Sequence, residues 1–213
     1  MLKFIGHAGF MYSTNNEILL MDPWMSKNGA FDSSWYQFPS NHSLGDEIRQ
    51  EIDSTLKEVY IYISHEHKDH FDVDYLKTLN LSKINFITPK FRRDHVASVL
   101  DKLNPKSVTT PIDSEVLKIG EMEIRLFLDD QEIVRDSAIG LIDFENDFTF
   151  LNLNDCKVYD RVDELKSIFK KFDIFTCQFS GAVFHPVCYD YPEKNIRKFL
   201  SQKLMANLAQ LRT

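Results

Sequence analysis

The stretch ISHEHKDHFD, Ile63 to Asp72, decides how the rest of the chain is read. Residues 65–70 hold three of the seven histidines, together with Glu66 and Asp69. They follow EVYIYIS, a continuous run of β-branched and aromatic residues that reads as a buried strand ending near Ser64. On an extended backbone His65 and His67 project to the same side. Asp69 and His70 follow where the chain turns, so all four side chains can converge on one small volume. Imidazole nitrogen and carboxylate oxygen are donors that zinc takes, and catalytic zinc sites keep a position open for water. Four such donors serve one ion, or divide two and two between ions about 3.5–4 Å apart, with a further carboxylate bridging them. Solvated histidines in a polar loop are the competing reading. That reading accounts for one histidine far more easily than for H-x-H-x-D-H directly after a buried strand.

Upstream, KFIGHAGFMYS (Lys3–Ser13) reads as one strand and EILLMDPW (Glu17–Trp24) as a second, with a break at Thr14–Asn16. A long aromatic, turn-rich loop follows over Met25–Gly45. Downstream, DVDYLKTLNLS is expected as a short helix capped by Asp72 or Asp74, INFITP as a strand and RRDHVASVLDKLN as a helix. Ser114–Asp130 reads as a hairpin turning at Ile119–Gly120, and Ser137–Asp155 as another turning at Glu145–Asp147. RVDELKSIFKKF is a helix, DIFTCQFS a strand, and Pro192–Thr213 a final helix. This alternation fits an α/β (α+β) chain, a four-layer αββα sandwich of two mixed β-sheets in one domain spanning 1–213. A single mixed sheet covered on both faces is the alternative.

The chain has 213 residues, 43% of them apolar, enough for one domain with a substantial core. A formal charge of −7 gives no general attraction to phosphate backbones, so nucleic acid is an unlikely partner. Cys156, Cys177 and Cys188 are odd in number, with no C-x-x-C spacing and no histidine two residues on. A disulfide framework, a zinc ribbon and a Rieske cluster are therefore not expected. The start, MLKFIGHAGF, lacks the character of a signal peptide. No stretch approaches the ~20 apolar residues of a membrane-spanning helix. The expected setting is cytoplasmic and the expected partner a small-molecule substrate, with a homo-oligomer the further option.

The stretch SHEHKDH resembles the S/T-H-x-H-x-D-H signature of the metallo-β-lactamase-fold hydrolases. The resemblance implies an αββα sandwich with one or two metal ions at one edge. It implies that His65 and His67 bind the first metal, and Asp69 and His70 the second. It also implies that Asp22, in LLMDPW, shapes the metal-binding loop without ligating, and that an aspartate just after a later strand bridges the ions. Asp155, following Phe148–Leu153, fits that place, although a plain turn residue would read the same by itself. Within the superfamily, the stretches GHAGF, LLMDPWMSKNGAFDSSWYQFPS, DSAIGL, LNLNDC and QFSGAVFHP are similar to the metallo-β-lactamase-like domain of CMP-N-acetylneuraminate hydroxylases and their bacterial relatives. A fainter likeness is to lactonases and phospholipase-D-type lipid hydrolases. The hydroxylase also carries an iron–sulfur domain, for which this chain has no C-x-H pairs, so a complete oxygenase is not expected.

Two departures from the superfamily pattern bear on the metals. No histidine occurs between Asn104 and Phe184, where another first-metal ligand is usual. Asp136 either replaces it or is an exposed turn acid. The late histidine of the second site falls to His185, as ligand, pocket residue or loop histidine. The chain stops in a helix where hydroxylase-like relatives continue into strands, so a form shortened at the C-terminus, or a site completed by oligomerisation, is the expectation. Zn2+ is the expected cofactor, as one or two ions, and the oxygen-rich donor set makes Fe or Mn arguable. His7 lines the cleft as a substrate contact or is packed in the fold, whereas His42 and His95 read as surface or helix residues. Trp24, Trp35, Tyr36 and Phe38 pack the long loop down, or form an aromatic rim that would hold a sugar or base, with Trp35 a substrate contact. The expected activity is attack of metal-activated water on an ester, lactone, amide or phosphodiester, with Asp69 or Asp155 taking the proton. A non-hydrolytic metal- or sugar-nucleotide-binding module serving a separate redox protein is the first alternative. A nuclease of the same superfamily is the second, disfavoured by the acidic charge.

Overall fold

Runs with no polar face become strands buried on both sides. In β3 (Glu17–Met21) Ile18 and Leu20 point one way and Leu19 and Met21 the other, all four fully buried. In β4 (Glu58–Tyr62) Val59 and Ile61 share the first side, and Tyr62 takes the second. The computed structural model describes residues 1–131, 135–158, 160–178 and 192–209. Around β3 and β4 lie β1 (Leu2–Gly6), β2 (Gly9–Ser13), β5 (Ile84–Ile87) and β6 (Ser107–Thr109). They make a six-stranded sheet in the order β1-β2-β3-β4-β5-β6, antiparallel as far as β3 and parallel beyond.

The second sheet has five strands, β7 (Val116–Ile119), β8 (Met122–Asp130), β9 (Arg135–Asp143), β10 (Phe148–Asn152) and β11 (Ile174–Thr176). Its order is β11-β10-β9-β8-β7, and only the β10–β11 pair is parallel. Leu19, Met21, Tyr62 and Ile87 meet Ile124, Leu126, Ile139, Leu141 and Phe150 between the sheets. Outside the first sheet pack α1 (His42–Ser54), α2 (Val73–Leu76) and α3 (His95–Lys102), through Ile48, Ile52, Leu76, Val96 and Leu100. Outside the second, α4 (Val162–Ile168) brings Leu165 against Phe127, Ala138 and Leu151. The helix α5 (Glu193–Ala209) completes the described elements. Helix, sheet, sheet, helix is the expected four-layer sandwich. No described helix is long and apolar enough to cross a membrane.

Three local expectations are corrected. The run Lys3–Ser13 is not one strand: the chain reverses at His7–Ala8, pairing Phe4 with Phe10 and Gly6 with Gly9. Gly6 has φ +122° and His7 φ +51°, and that pair of positive values turns the backbone back on itself. Residues 42–45 belong to α1 rather than the loop. Gly45 is tolerated there because the helix packs too closely for a side chain, a Cβ at that position lying 2.9 Å from Met25 Cβ. The helix after the histidines is a single turn. Asp72 does cap it, accepting from Tyr75 N–H at 3.0 Å.

Candidate metal centre

The centre lies past the carboxyl ends of β3 and β4, where open α/β sheets characteristically place their sites. Asp22 follows β3 with φ +42°, and its N–H donates to Tyr62 O at 3.0 Å. From there its buried carboxylate organises the next segment. Oδ1 accepts from Ser64 N–H at 2.8 Å, and Oδ2 from Ser64 Oγ at 2.6 Å. Oδ2 also lies 2.9 Å from His70 Nδ1. Ser64 Oγ is in turn 2.9 Å from His65 Nδ1. One carboxylate thus orients two of the histidines through their Nδ1 atoms and leaves their Nε2 atoms facing inward.

Two groups of donors form side by side. His65, His67 and Asp155 make one, and His7, Asp69 and His70 the other; within each group the donor atoms lie within 4.8 Å of one another. His65 Nε2 and His67 Nδ1 are 2.8 Å apart, and His7 Nε2 is 2.9 Å from Asp69 Oδ2. Asp155 Oδ2 reaches to 3.7 Å from His70 Nε2, so this carboxylate stands between the groups. Gln178 Nε2 donates to its other oxygen at 3.0 Å. The residues fit divalent metal. His70 Nε2 and Asp69 Oδ1 are buried with no hydrogen-bond partner, a costly arrangement that a cation between them answers.

The charges point the same way. Burial, followed by the charges of His70, His67 and His7, pulls His65 well below the usual histidine value, keeping its lone pair free for a cation. Burial also works against protonated His70. The Asp22 hydrogen bond and the charges of Asp22, Asp155 and Asp69 nevertheless outweigh it and raise His70 to about 9. The pocket therefore attracts positive charge. Asp69 is opposed by burial too, yet the His7 hydrogen bond and the charges of His70 and His7 hold its carboxyl low.

Asp136 belongs to neither donor group among the described residues. It sits beside the other face of His65, Oδ1 3.3 Å from Nδ1 but outside hydrogen-bond geometry. Burial first, then the charge of Asp155, pushes its carboxyl up to about 7. It is mostly buried, not the exposed turn acid of the alternative reading. His7 lies past the end of β1, and the turn there puts its ring into the second donor group rather than on a strand. The signal was its neighbour Gly6, which makes that turn accessible. Trp35 packs edge-on to His7 with ring centres 5.9 Å apart, and Trp24 does so at 5.3 Å. His42 and His95 open α1 and α3 and belong to neither donor group. His185 lies outside the described residues.

The family profile described as the Beta-lactamase superfamily domain matches residues 1–152. A Mycobacterium tuberculosis protein provisionally named as a Rieske 2Fe-2S iron-sulfur protein is 31% identical over 98% of this chain, and a Mycolicibacterium smegmatis protein of the same name is 29% identical. The chain spans about 40% of the length of the curated relatives it matches. Among solved structures, a candidate metal-dependent hydrolase from Veillonella parvula aligns over 95% of this chain and 80% of its own, with a TM-score of 0.61 at 12% identity. CmlA, a diiron β-hydroxylase from Streptomyces venezuelae, aligns over 95% of this chain and 40% of its own, with a TM-score of 0.59 at 16% identity. At such identities these likenesses speak to the fold, which is the metallo-β-lactamase fold of metal-dependent enzymes. With the profile covering most of the sequence, the chain belongs to the β-lactamase superfamily domain family.

Proposed function

We propose that the protein is a metal-dependent hydrolase acting on an ester, lactone or phosphodiester. The observation that carries the reading is the pair of adjoining donor groups with His70 Nε2 buried and unpartnered between carboxylates. His65, His67 and Asp155 would hold one ion, and His7, Asp69 and His70 a second, with Asp155 placed to serve both. Zinc, iron or manganese held there supplies Lewis acidity, lowering the pKa of water and stabilising charge on the substrate oxygen. Asp22 accepts from His70 Nδ1, so Nε2 is the nitrogen left to bind a cation once that cation displaces its proton. Asp155, its side chain 29% exposed against 5% for Asp69, is the carboxylate that solvent reaches, and we assign it the proton from the attacking water. Ser64 Oγ fixes the direction of the His65 ring through Nδ1, with the Asp136 carboxylate beside it.

A second reading has one observation behind it: the relatives that match across nearly the whole chain carry an iron–sulfur name. In that reading the domain binds iron and works with a separate redox protein. Elemental analysis and a panel of chromogenic esters, lactones and phosphodiesters with added zinc, manganese or iron test the two. The hydrolase reading expects bound metal and turnover, with turnover and most of the metal lost in His67→Ala. Turnover that survives His67→Ala refutes the site. Iron-specific loading with dioxygen consumed at the expense of an added chemical reductant, and no hydrolysis, selects the redox reading.

A further inference from the structure

Phe31 and Trp35 sit on the loop after β3, their rings stacked with centres 5.7 Å apart and 30° between planes. Phe31 also meets His67 edge-on at 6.3 Å, and Trp35 meets His7 at 5.9 Å. The pair therefore touches one histidine from each donor group. Both rings remain more than a third exposed.

The loop is held in this posture from several sides. At its base, Asp72 Oδ2 accepts from the N–H groups of Met25 and Ser26, at 2.9 and 2.7 Å. At its far end, Asn41 Nδ2 donates to Ile5 O and Trp24 O, at 2.9 and 3.0 Å. The tip is closed by Ala30 N–H to Trp35 O at 2.8 Å and the reverse bond at 3.2 Å. Inside that closure Phe31, Asp32 and Ser33 run consecutively at φ between +52° and +63°. Three successive non-glycine residues in the left-handed region are costly, and such strain collects at ligand-binding positions. A fixed aromatic surface also loses little entropy on binding.

We propose that Phe31 and Trp35 form a preset stacking platform that selects substrates carrying a flat aromatic or heteroaromatic ring next to the group that is cleaved. The proposal rests on the hydrolase reading, since it places the reacting group over the donor residues and the ring on the platform. One well-placed ring contact is worth roughly 2- to 12-fold in affinity.

Three phosphonates with the same metal-seeking head test it by calorimetry on the zinc-loaded full chain: methylphosphonate, cyclohexylmethylphosphonate and benzylphosphonate. Benzylphosphonate is expected to bind at least about tenfold tighter than methylphosphonate and several-fold tighter than the saturated ring. The benzyl-to-methyl ratio should fall below about threefold in Trp35→Ala and in Phe31→Ala, and persist in Trp35→Phe, which keeps an aromatic face. Thermal melts of each variant separate loss of the platform from loss of the fold. Benzylphosphonate should also quench wild-type fluorescence through Trp35, the exposed member of the two tryptophans, and not quench Trp35→Phe. Equal binding of benzyl- and methylphosphonate overturns the platform and leaves the metal reading standing. A benzyl preference that survives both alanine variants overturns it as well. Failure of all three phosphonates to bind overturns the platform together with the metal reading.

Discussion

Replacing Asp22 separates two jobs done by one side chain. Its carboxylate is almost fully buried and accepts from Ser64 N–H, from Ser64 Oγ and from His70, at 2.6–2.9 Å. Hydrogen bonds to a charged group contribute about 1.5–3 kcal/mol each, but three that share one acceptor do not add fully. Breaking a buried charge pair from one side costs about 3–5 kcal/mol, and Asp22→Ala is expected in that range. For a chain of this length each kcal/mol moves Tm by about 2–4 °C, so the melt should fall by roughly 6–20 °C. Asp22→Asn is the more telling variant. It keeps a carbonyl for Ser64 N–H but turns an amide donor toward His70 Nδ1. The imidazole proton then moves to Nε2, and the atom facing the donor group loses its lone pair. Stability should drop by only about 1–2 kcal/mol while zinc affinity falls about 10- to 100-fold, the usual effect of an outer partner of a metal-binding histidine. Urea denaturation of chelator-stripped protein gives the first quantity, and zinc titration against a competing chelator the second. Wild-type zinc affinity in Asp22→Asn, or stability within 1 kcal/mol of wild type in Asp22→Ala, would refute the reasoning.

The remaining predictions concern other parts of the molecule. Gly6→Ala places a methyl against the side chains of Gln37 and Asn41 at a φ of +122°, so it should cost about 1–3 kcal/mol and weaken metal retention by displacing His7; urea melts and elemental analysis read both. Asp143, outside both donor groups, is opposed by burial, but the Tyr12 hydrogen bond and its contacts with Asn146 and Glu145 hold its carboxyl below the usual value. Its unfolded form binds a proton more readily. The stability it contributes is therefore present above a pH of about 4 and lost as pH falls through the folded value. Asp143→Asn should flatten that acid limb in denaturation followed at stepped pH. Stripping metal with a chelator should lower Tm, and adding zinc back should restore it fully in wild type but only in part in His67→Ala.

Much of this architecture is written in short-range pattern. β3 and β4 were legible because chains buried on both faces lose the polar alternation, and the two hairpins of the second sheet because Gly120 and Glu145–Asp147 punctuate them. The histidine cluster was legible because spacing and a preceding strand suffice to gather its members. The turn at His7 was not, since its flanks are apolar on both sides and the reversal depends on a single glycine. Helix α1 was hidden by its charged surface and by Gly45, whose fitness comes from Met25 and Tyr75 packed against it. The pairing of His7 with Asp69 spans sixty-odd residues, and the place of Asp136 depends on how one sheet lies upon the other. Gly6 hints at the turn that carries His7, but no local pattern names the partner of either residue.

His65, His67 and His70 hang from the end of β4, whereas Asp155 follows β10 and Asp136 lies on β9. The donors are thus split between two leaves that Leu19, Tyr62 and Phe150 glue together farther in. An ion held by these donors would act as a clasp across the open rim, since its binding energy would be released only when the leaves are shut. Opening at that edge, and with it cutting by proteases, should then follow the supply of metal in the surroundings. Chelator-stripped protein should be cut faster at that rim than zinc-loaded protein.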